Sequence, residues 1–318
     1  MPATSTDKTS PFTRPLIVFL CAMACCALWG SAYPSIKIGY RLFEIAAEDP
    51  AAQILFAGMR FTLAGVLTLL MGSAIQRRPL IPQRTSWKYI LILCLLQTVL
   101  QYVFFYIGLA HASGSKSSII NSFSVFIAIF ISALIFHQET LTSRKIIGCL
   151  IGFAGVILVN IGSGSGGGMW EFQLNGEGFI LISAVTYAMS SVCIKKFSQY
   201  EDPVVLSGSQ FFVGGLVMIV IGYCLGGRVT TFTPSGLGLL LYMGFLSAAA
   251  YSLWGILLKY NPVSRIAVYS FMNPVFGVIL SAILLKESSA AGWKSIVALI
   301  LISIGIFIVN RPAPGRSA

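Results

Sequence analysis

Charge is what this chain has least of: Asp, Glu, Lys and Arg together make up 10% of its 318 residues, against roughly 25% in a soluble globular domain. Apolar side chains make up 56% and the mean hydropathy is +0.85, so water is not the main solvent for its surface. Acidic residues are scarcest, and none of the ten stands in the middle of a long apolar run. Proton-coupled carriers often place a carboxylate there. Only Glu139 and Glu287, which close apolar runs, could serve, and they are read first as end anchors for Arg144, Lys145 or Lys294.

Histidine is limited to His111 and His137. The cysteines (Cys21, Cys25, Cys26, Cys94, Cys149, Cys193, Cys224) are seven, an odd number, all inside apolar runs and without Cys-x-x-Cys spacing. They read as small core residues, and neither a metal site nor a cofactor is expected. No nucleophile, base and acid fall together at membrane depth, which argues against a membrane-embedded enzyme. The glycine-rich stretch Gly162–Gly168 lacks the Gly-Lys-Ser/Thr and the preceding strand of a phosphate loop, so it reads as a flexible connector.

What is present is a succession of long apolar runs. A bilayer core about 30 Å thick needs about 20 such residues per helix. Ten runs qualify, at residues 16–38, 52–75, 87–110, 115–136, 144–161, 176–195, 203–225, 235–258, 262–285 and 290–309. They are continuously apolar rather than alternating, so helices and not barrel strands are expected. The first run is too long for a cleaved signal and reads as a membrane helix.

The net charge of +11 does not indicate nucleic acid, because the basic residues sit in pairs between apolar runs rather than on one solvated face. They report topology instead. With the N-terminus in the cytoplasm, 14 Lys and Arg fall inside (residues 8, 14, 77, 78, 84, 88, 144, 145, 195, 196, 259, 265, 311 and 316) and six outside (37, 41, 116, 228, 286 and 294). That bias places both termini in the cytoplasm.

The chain also resembles itself. An offset of 148 carries Ser122-Phe123 onto Ser270-Phe271 and Glu139 onto Glu287; an offset of 150 carries Phe61 onto Phe211 and Gly65 onto Gly215; an offset of 158 carries Trp29 onto Tyr187. Five spans per half is an odd number, so the second half enters the membrane from the opposite side. The expected fold is all-α and integral to the membrane, with ten transmembrane helices as two inverted five-helix repeats. The repeats span residues 16–161 and 176–310, joined by an external linker at 162–175 and flanked by cytoplasmic tails at 1–15 and 311–318.

These residues resemble the EamA-like family of the drug/metabolite transporter (DMT) superfamily. The resemblance is carried by the run from Ala27 to Lys37, by Arg60-Phe61, by Glu139-Thr-Leu-Thr142, and in the second half by Met272-Asn-Pro-Val-Phe276 and Lys286-Glu287. It implies a central cavity between the halves, alternating access, and cargoes such as amino acids, sugars or nucleotide sugars. Members carry a proline 13 residues before the glutamate in each half; Pro274 keeps it and Phe126 replaces it, which puts a helix break near Phe126 in question.

Arg60 is the one strong charge deep in a run. At mid-membrane a charge costs at least about 2.5–3.5 kcal/mol on insertion scales, so it faces a partner or a wet cavity. It either ties helices together or meets a ligand. Candidate cavity residues are Trp29 and Tyr33 on the first run, Gln97, Gln101, Tyr102 and Tyr106 on the third, Asn121 on the fourth, Tyr187 on the sixth, Tyr251 and Trp254 on the eighth and Asn273 on the ninth. Gln97 with Gln101, and Tyr102 with Tyr106, are spaced one helical turn apart and so should form adjacent stripes. Aromatic walls with few amides suit an amphipathic organic molecule. Trp87, Tyr89, Trp170 and Trp293, at run ends, fit an interfacial belt instead. Gly148-x-x-x-Gly152 and Gly214-Gly215 are expected to let helices of the same chain approach closely. The partners expected are a bilayer and a small-molecule substrate, in a monomer or homodimer of a bacterial inner membrane. The cargo expected is an amino acid or a related compound, exported, with import or exchange of sugars as the alternative.

Overall fold

The computed structural model describes residues 10–46, 48–111, 120–160, 173–285 and 293–311, and among them it contains helices and no strand. The α-helical segments are α1 Pro15–Leu42, α2 Pro50–Gln76, α3 Trp87–Leu93, α4 Gln101–His111, α5 Ser124–Phe130, α6 Ser143–Asn160, α7 Phe179–Phe197, α8 Pro203–Cys224, α9 Pro234–Tyr260, α10 Val263–Ala267, α11 Met272–Leu285 and α12 Trp293–Asn310. A π-helical stretch, Cys94–Leu100, joins α3 to α4, and a 3₁₀ stretch, Val268–Phe271, joins α10 to α11. Among the described residues, six helices are long and apolar enough to cross a membrane: α1, α2, α8, α9 and the compound helices Arg84–Gly108 and Leu174–Phe197. Ile120–Ile135 and Ile296–Asn310 are shorter apolar helices. The linker at 162–175 lies almost wholly outside the described residues, as do Trp170, Lys116, Lys286 and Glu287.

Helix starts follow local chemistry. Asp49 accepts a hydrogen bond from the Ala52 amide, Asp202 from Val204 and Thr233 from Gly236, and in each case proline is the next residue. An acceptor side chain at the cap and a proline at the first helical position satisfy amides that have no partner within the helix.

Packing is set by glycine. The most extensive contact is between α2 and α8, along Gly58, Gly65 and Gly72 on one helix and Gly208, Gly215 and Gly222 on the other. A Cβ on Gly65 would stand 2.4 Å from the Phe212 nitrogen and 2.7 Å from the Gly208 oxygen; one on Gly215 would stand 2.3 Å from the Thr62 nitrogen and 2.8 Å from the Gly58 oxygen. Backbone therefore lies on backbone, with the helices antiparallel. Between apolar helices in lipid, this close contact supplies the association energy. The α6–α12 pair is built likewise, with Gly148 and Gly152 against Gly305, as the glycine spacing led one to expect.

The other principal pairings are α1 with α9 and α11, α7 with α4 and α5, α2 with α9, and α8 with α3 and the π stretch. Exchanging α1 for α7, α2 for α8, α3–α4 for α9, α5 for α10–α11 and α6 for α12 returns the same set of pairings.

The cysteines are all free; Cys25, Cys26, Cys94, Cys149 and Cys193 are buried. They do more than fill space: Cys25 donates to the Ala250 carbonyl and Cys26 to that of Tyr269. Glu139 is an anchor. Its carboxylate accepts from the Ser264 amide at 3.0 Å, from the Ser264 hydroxyl, and from the Lys145 ammonium at 2.7 Å. It thereby fastens the end of the α5 rod to the start of α10. Lys195 performs a similar task at the end of α9, donating to the carbonyls of Leu258 and Asn261.

Candidate functional site

A cavity of about 120 Å³ opens among α1, α2, α4, α7, α9, the residues before α5 and the start of α11. Each half contributes an irregular helix to its wall. In the second half the 3₁₀ stretch Val268–Phe271 precedes Pro274. In the first half a turn at Phe123 separates residues 120–122 from α5, with the Phe123 amide bonded to the Ile120 carbonyl. The break thus occurs without proline, three residues before Phe126. These two interruptions present Ser122 and Ser270, related by the 148 offset, to the same cavity.

Eight of the expected residues line it: Trp29, Arg60, Gln101 and Tyr102 on one side of the sequence order, then Asn121, Tyr187, Tyr251 and Asn273. Arg60 is buried, and its Nε donates to Ser247 Oγ at 3.1 Å. Tyr102 and Tyr251 share a hydroxyl–hydroxyl bond of 2.9 Å that links α4 to α9. Trp29 stands edge-on to both Tyr251 and Trp254, with centroids at 5.1 and 4.9 Å. Three polar atoms, Trp29 Nε1, Gln101 Oε1 and Asn273 Oδ1, are buried without a hydrogen-bond partner. Buried polar atoms are ordinarily paired, so three unpaired ones around one cavity mark places where a bound molecule gains by supplying the partner.

The remaining expected residues stand elsewhere. Tyr106 is buried beside the cavity, its ring centroid 6.3 Å from that of Tyr102. Trp254 packs behind Trp29. Tyr33 lies on α1, its side chain outside the described residues. Gln97 is not among the residues that line the cavity. It lies in the π-helical stretch Cys94–Leu100. Gln97 points to α8, where Gln210 Nε2 donates to its Oε1 at 3.1 Å and Thr98 donates to Gln210 Oε1.

Gln210 was not among the residues picked out from sequence, yet the 150 offset that pairs Phe61 with Phe211 pairs Arg60 with Gln210. Replacing Gln210 by leucine should cost about 2 kcal/mol, because Gln97 and Thr98 lose a buried partner; leucine at both 97 and 210 should recover part of that loss. Thermal melts of the single and double variants in detergent decide it.

Toward the N-terminal end of α1 the cavity stops at Trp29. Beyond it, Val18, Ala22, Cys25 and Cys26 are fully buried in the largest apolar core, against Val192, Leu258 and Val263. Among the described residues no group of three His, Cys, Asp or Glu could hold a metal.

The EamA-like transporter family matches this chain twice, over residues 16–161 and 174–311. The uncharacterized transporter YvbV of Bacillus subtilis is 27% identical, with 98% of this chain and 96% of that one covered. The inner membrane transporter YedA of Escherichia coli K12 is 26% identical, over 93% of this chain and 94% of its own. A WAT1-related chloroplastic protein of Arabidopsis thaliana is also 26% identical, over 80% of this chain and 62% of its own. One crystal structure, 18% identical, superposes with a TM-score of 0.74 over 92% of this chain and 95% of that one; it shows the fold. Apolar helices long enough to cross a bilayer, wrapped around a polar-lined cavity and matched by this family over nearly the whole sequence, make the chain a multi-pass membrane transporter that belongs to the EamA-like family of the DMT superfamily.

Proposed function

We propose that the chain is a secondary transporter that exports a small amphipathic metabolite, an amino acid or a related compound, by alternating access around the central cavity. The observation that carries this reading is the convergence on one cavity of Arg60, the unpaired Gln101 Oε1, Asn273 Oδ1 and Trp29 Nε1, and the rings of Tyr102, Tyr187 and Tyr251. Arg60 suits a carboxylate, the amide oxygens suit an ammonium, and the aromatic walls suit an apolar body.

The architecture proposed with it is ten spans in two inverted repeats, at 16–161 and 176–310, with both termini in the cytoplasm of a bacterial inner membrane. The double family match and the pairing set that survives exchange of the halves support the repeat, and the basic-residue bias supports the orientation. In that orientation the core beyond Trp29 seals the cytoplasmic side, so rocking the halves apart there is the step that would admit cargo.

The test is transport by purified protein in liposomes loaded with a mixture of the protein amino acids and common sugars. Saturable, protein-dependent loss of amino acids is expected; selective movement of sugars would replace this cargo class by the alternative, and movement of neither would end the reading.

A further inference from the structure

The bond from Arg60 to Ser247 has a twin. Gln210 lies 150 residues after Arg60, and Ser247 lies 150 residues after Gln97. In the first pair Arg60 Nε on α2 donates to Ser247 Oγ on α9 at 3.1 Å; in the second, Gln210 Nε2 on α8 donates to Gln97 Oε1 at 3.1 Å. The donor in both is a nitrogen carried on the δ carbon, at equal reach from its backbone. Each bond joins the helix of the glycine seam to the neighbouring rod of the other half. The glycines of the seam obey the same offset, Gly58 with Gly208, Gly65 with Gly215 and Gly72 with Gly222. The two ties are therefore the same device, with one difference: Arg60 extends past its bond as a charged guanidinium at the cavity wall, whereas Gln210 ends at the bond and stands outside that wall.

We infer that Arg60 is a specificity-determining residue built onto a structural tie. The Nε–Ser247 bond holds α2 to α9, the remaining guanidinium edge selects cargo bearing a carboxylate, and Ser247 is the positioning residue that aims it. Charge and tie are separable, because glutamine at position 60 keeps a nitrogen on the δ carbon and loses only the charge. The inference rests on the transport reading above and assigns its carboxylate selectivity to one side chain.

The experiment uses the full chain in liposomes, with each of the common L-α-amino acids offered against its own carboxamide, which has the same body without the anionic group. Wild type should move the acid of its best pair at least 10-fold faster than the amide. Arg60→Gln should melt within a few degrees of wild type and show no acid preference, while Arg60→Ala, which loses the tie as well, should melt lower. Ser247→Ala should raise KM for the acid with little change in maximal rate, and Ser247→Thr should restore it. If Arg60→Gln keeps the acid preference, or does not fold, the inference is wrong although transport stands. If wild type moves neither acids nor amides, the transport reading itself is lost and the inference with it.

Discussion

Leucine in place of Gly65 is expected to lower stability by about 3 kcal/mol or more, at the upper end of what overpacking costs, and to reduce the melting temperature in detergent by roughly 10 °C. The argument rests on what a side chain there would strike. The nearest atoms to a Cβ on Gly65 are the Phe212 nitrogen at 2.4 Å and the Gly208 oxygen at 2.7 Å. Both are backbone and cannot turn aside as a side chain would, so α2 and α8 must separate and forfeit contact along their length. Gly238 supplies the comparison, since a Cβ on it meets nothing within 4 Å; Gly238→Ala should be neutral or stabilising by up to about 1 kcal/mol, through helix propensity alone. A Gly65→Leu variant melting with wild type would mean that these helices are not in backbone contact.

Removing the Glu139 carboxylate is the second large effect. Glu139→Ala deletes the acceptor for the Ser264 amide and hydroxyl and leaves Lys145 without its 2.7 Å partner, at a site where the two side chains are 6% and 16% exposed. Breaking one side of a buried pair costs about 3–5 kcal/mol, and the residual exposure of Lys145 puts the expectation near the lower figure. Glu139→Gln keeps an oxygen for the Ser264 amide and gives up the charge, so it should fall between Glu139→Ala and wild type. Unfolding followed by fluorescence against temperature orders the three. Equal melting of all three would show that the carboxylate does not fasten the α5 rod to α10.

Much of this was legible in the sequence, and the reasons differ by feature. Helix positions followed from apolar length: the run read at 235–258 is α9, Pro234–Tyr260, because a long apolar helix is written in composition. The glycine contacts followed from spacing, because close approach has one chemical solution. Seven cavity residues are legible because aromatic and amide side chains are conspicuous in apolar surroundings, and Arg60 because a charge is. Gln97 stands off the cavity because Gln210 on α8 holds it, a pairing that its spacing from Gln101 does not reveal. Gln210 was passed over because a neutral amide flanked by Ser209 and Phe211 does not announce itself as Arg60 does; the 150 offset contained the signal. The break at Phe123 stands in a stretch without proline, so the absence of proline at position 126 does not decide it.

The glycine seam between α2 and α8 has the form of an isologous interface inside a single polypeptide. On the repeat proposed above, it is the contact two identical half-length chains would make with each other. Such a dimer could not carry Arg60 alone: any residue at that place would appear twice, and two guanidinium groups at one small cavity would repel each other in a medium that screens poorly. Joining the halves in one chain frees each from copying the other. The first half can then hold a positive charge at the cavity wall while the second half keeps glutamine, and cargo entering between them meets a polarised site with a defined direction in which to lie.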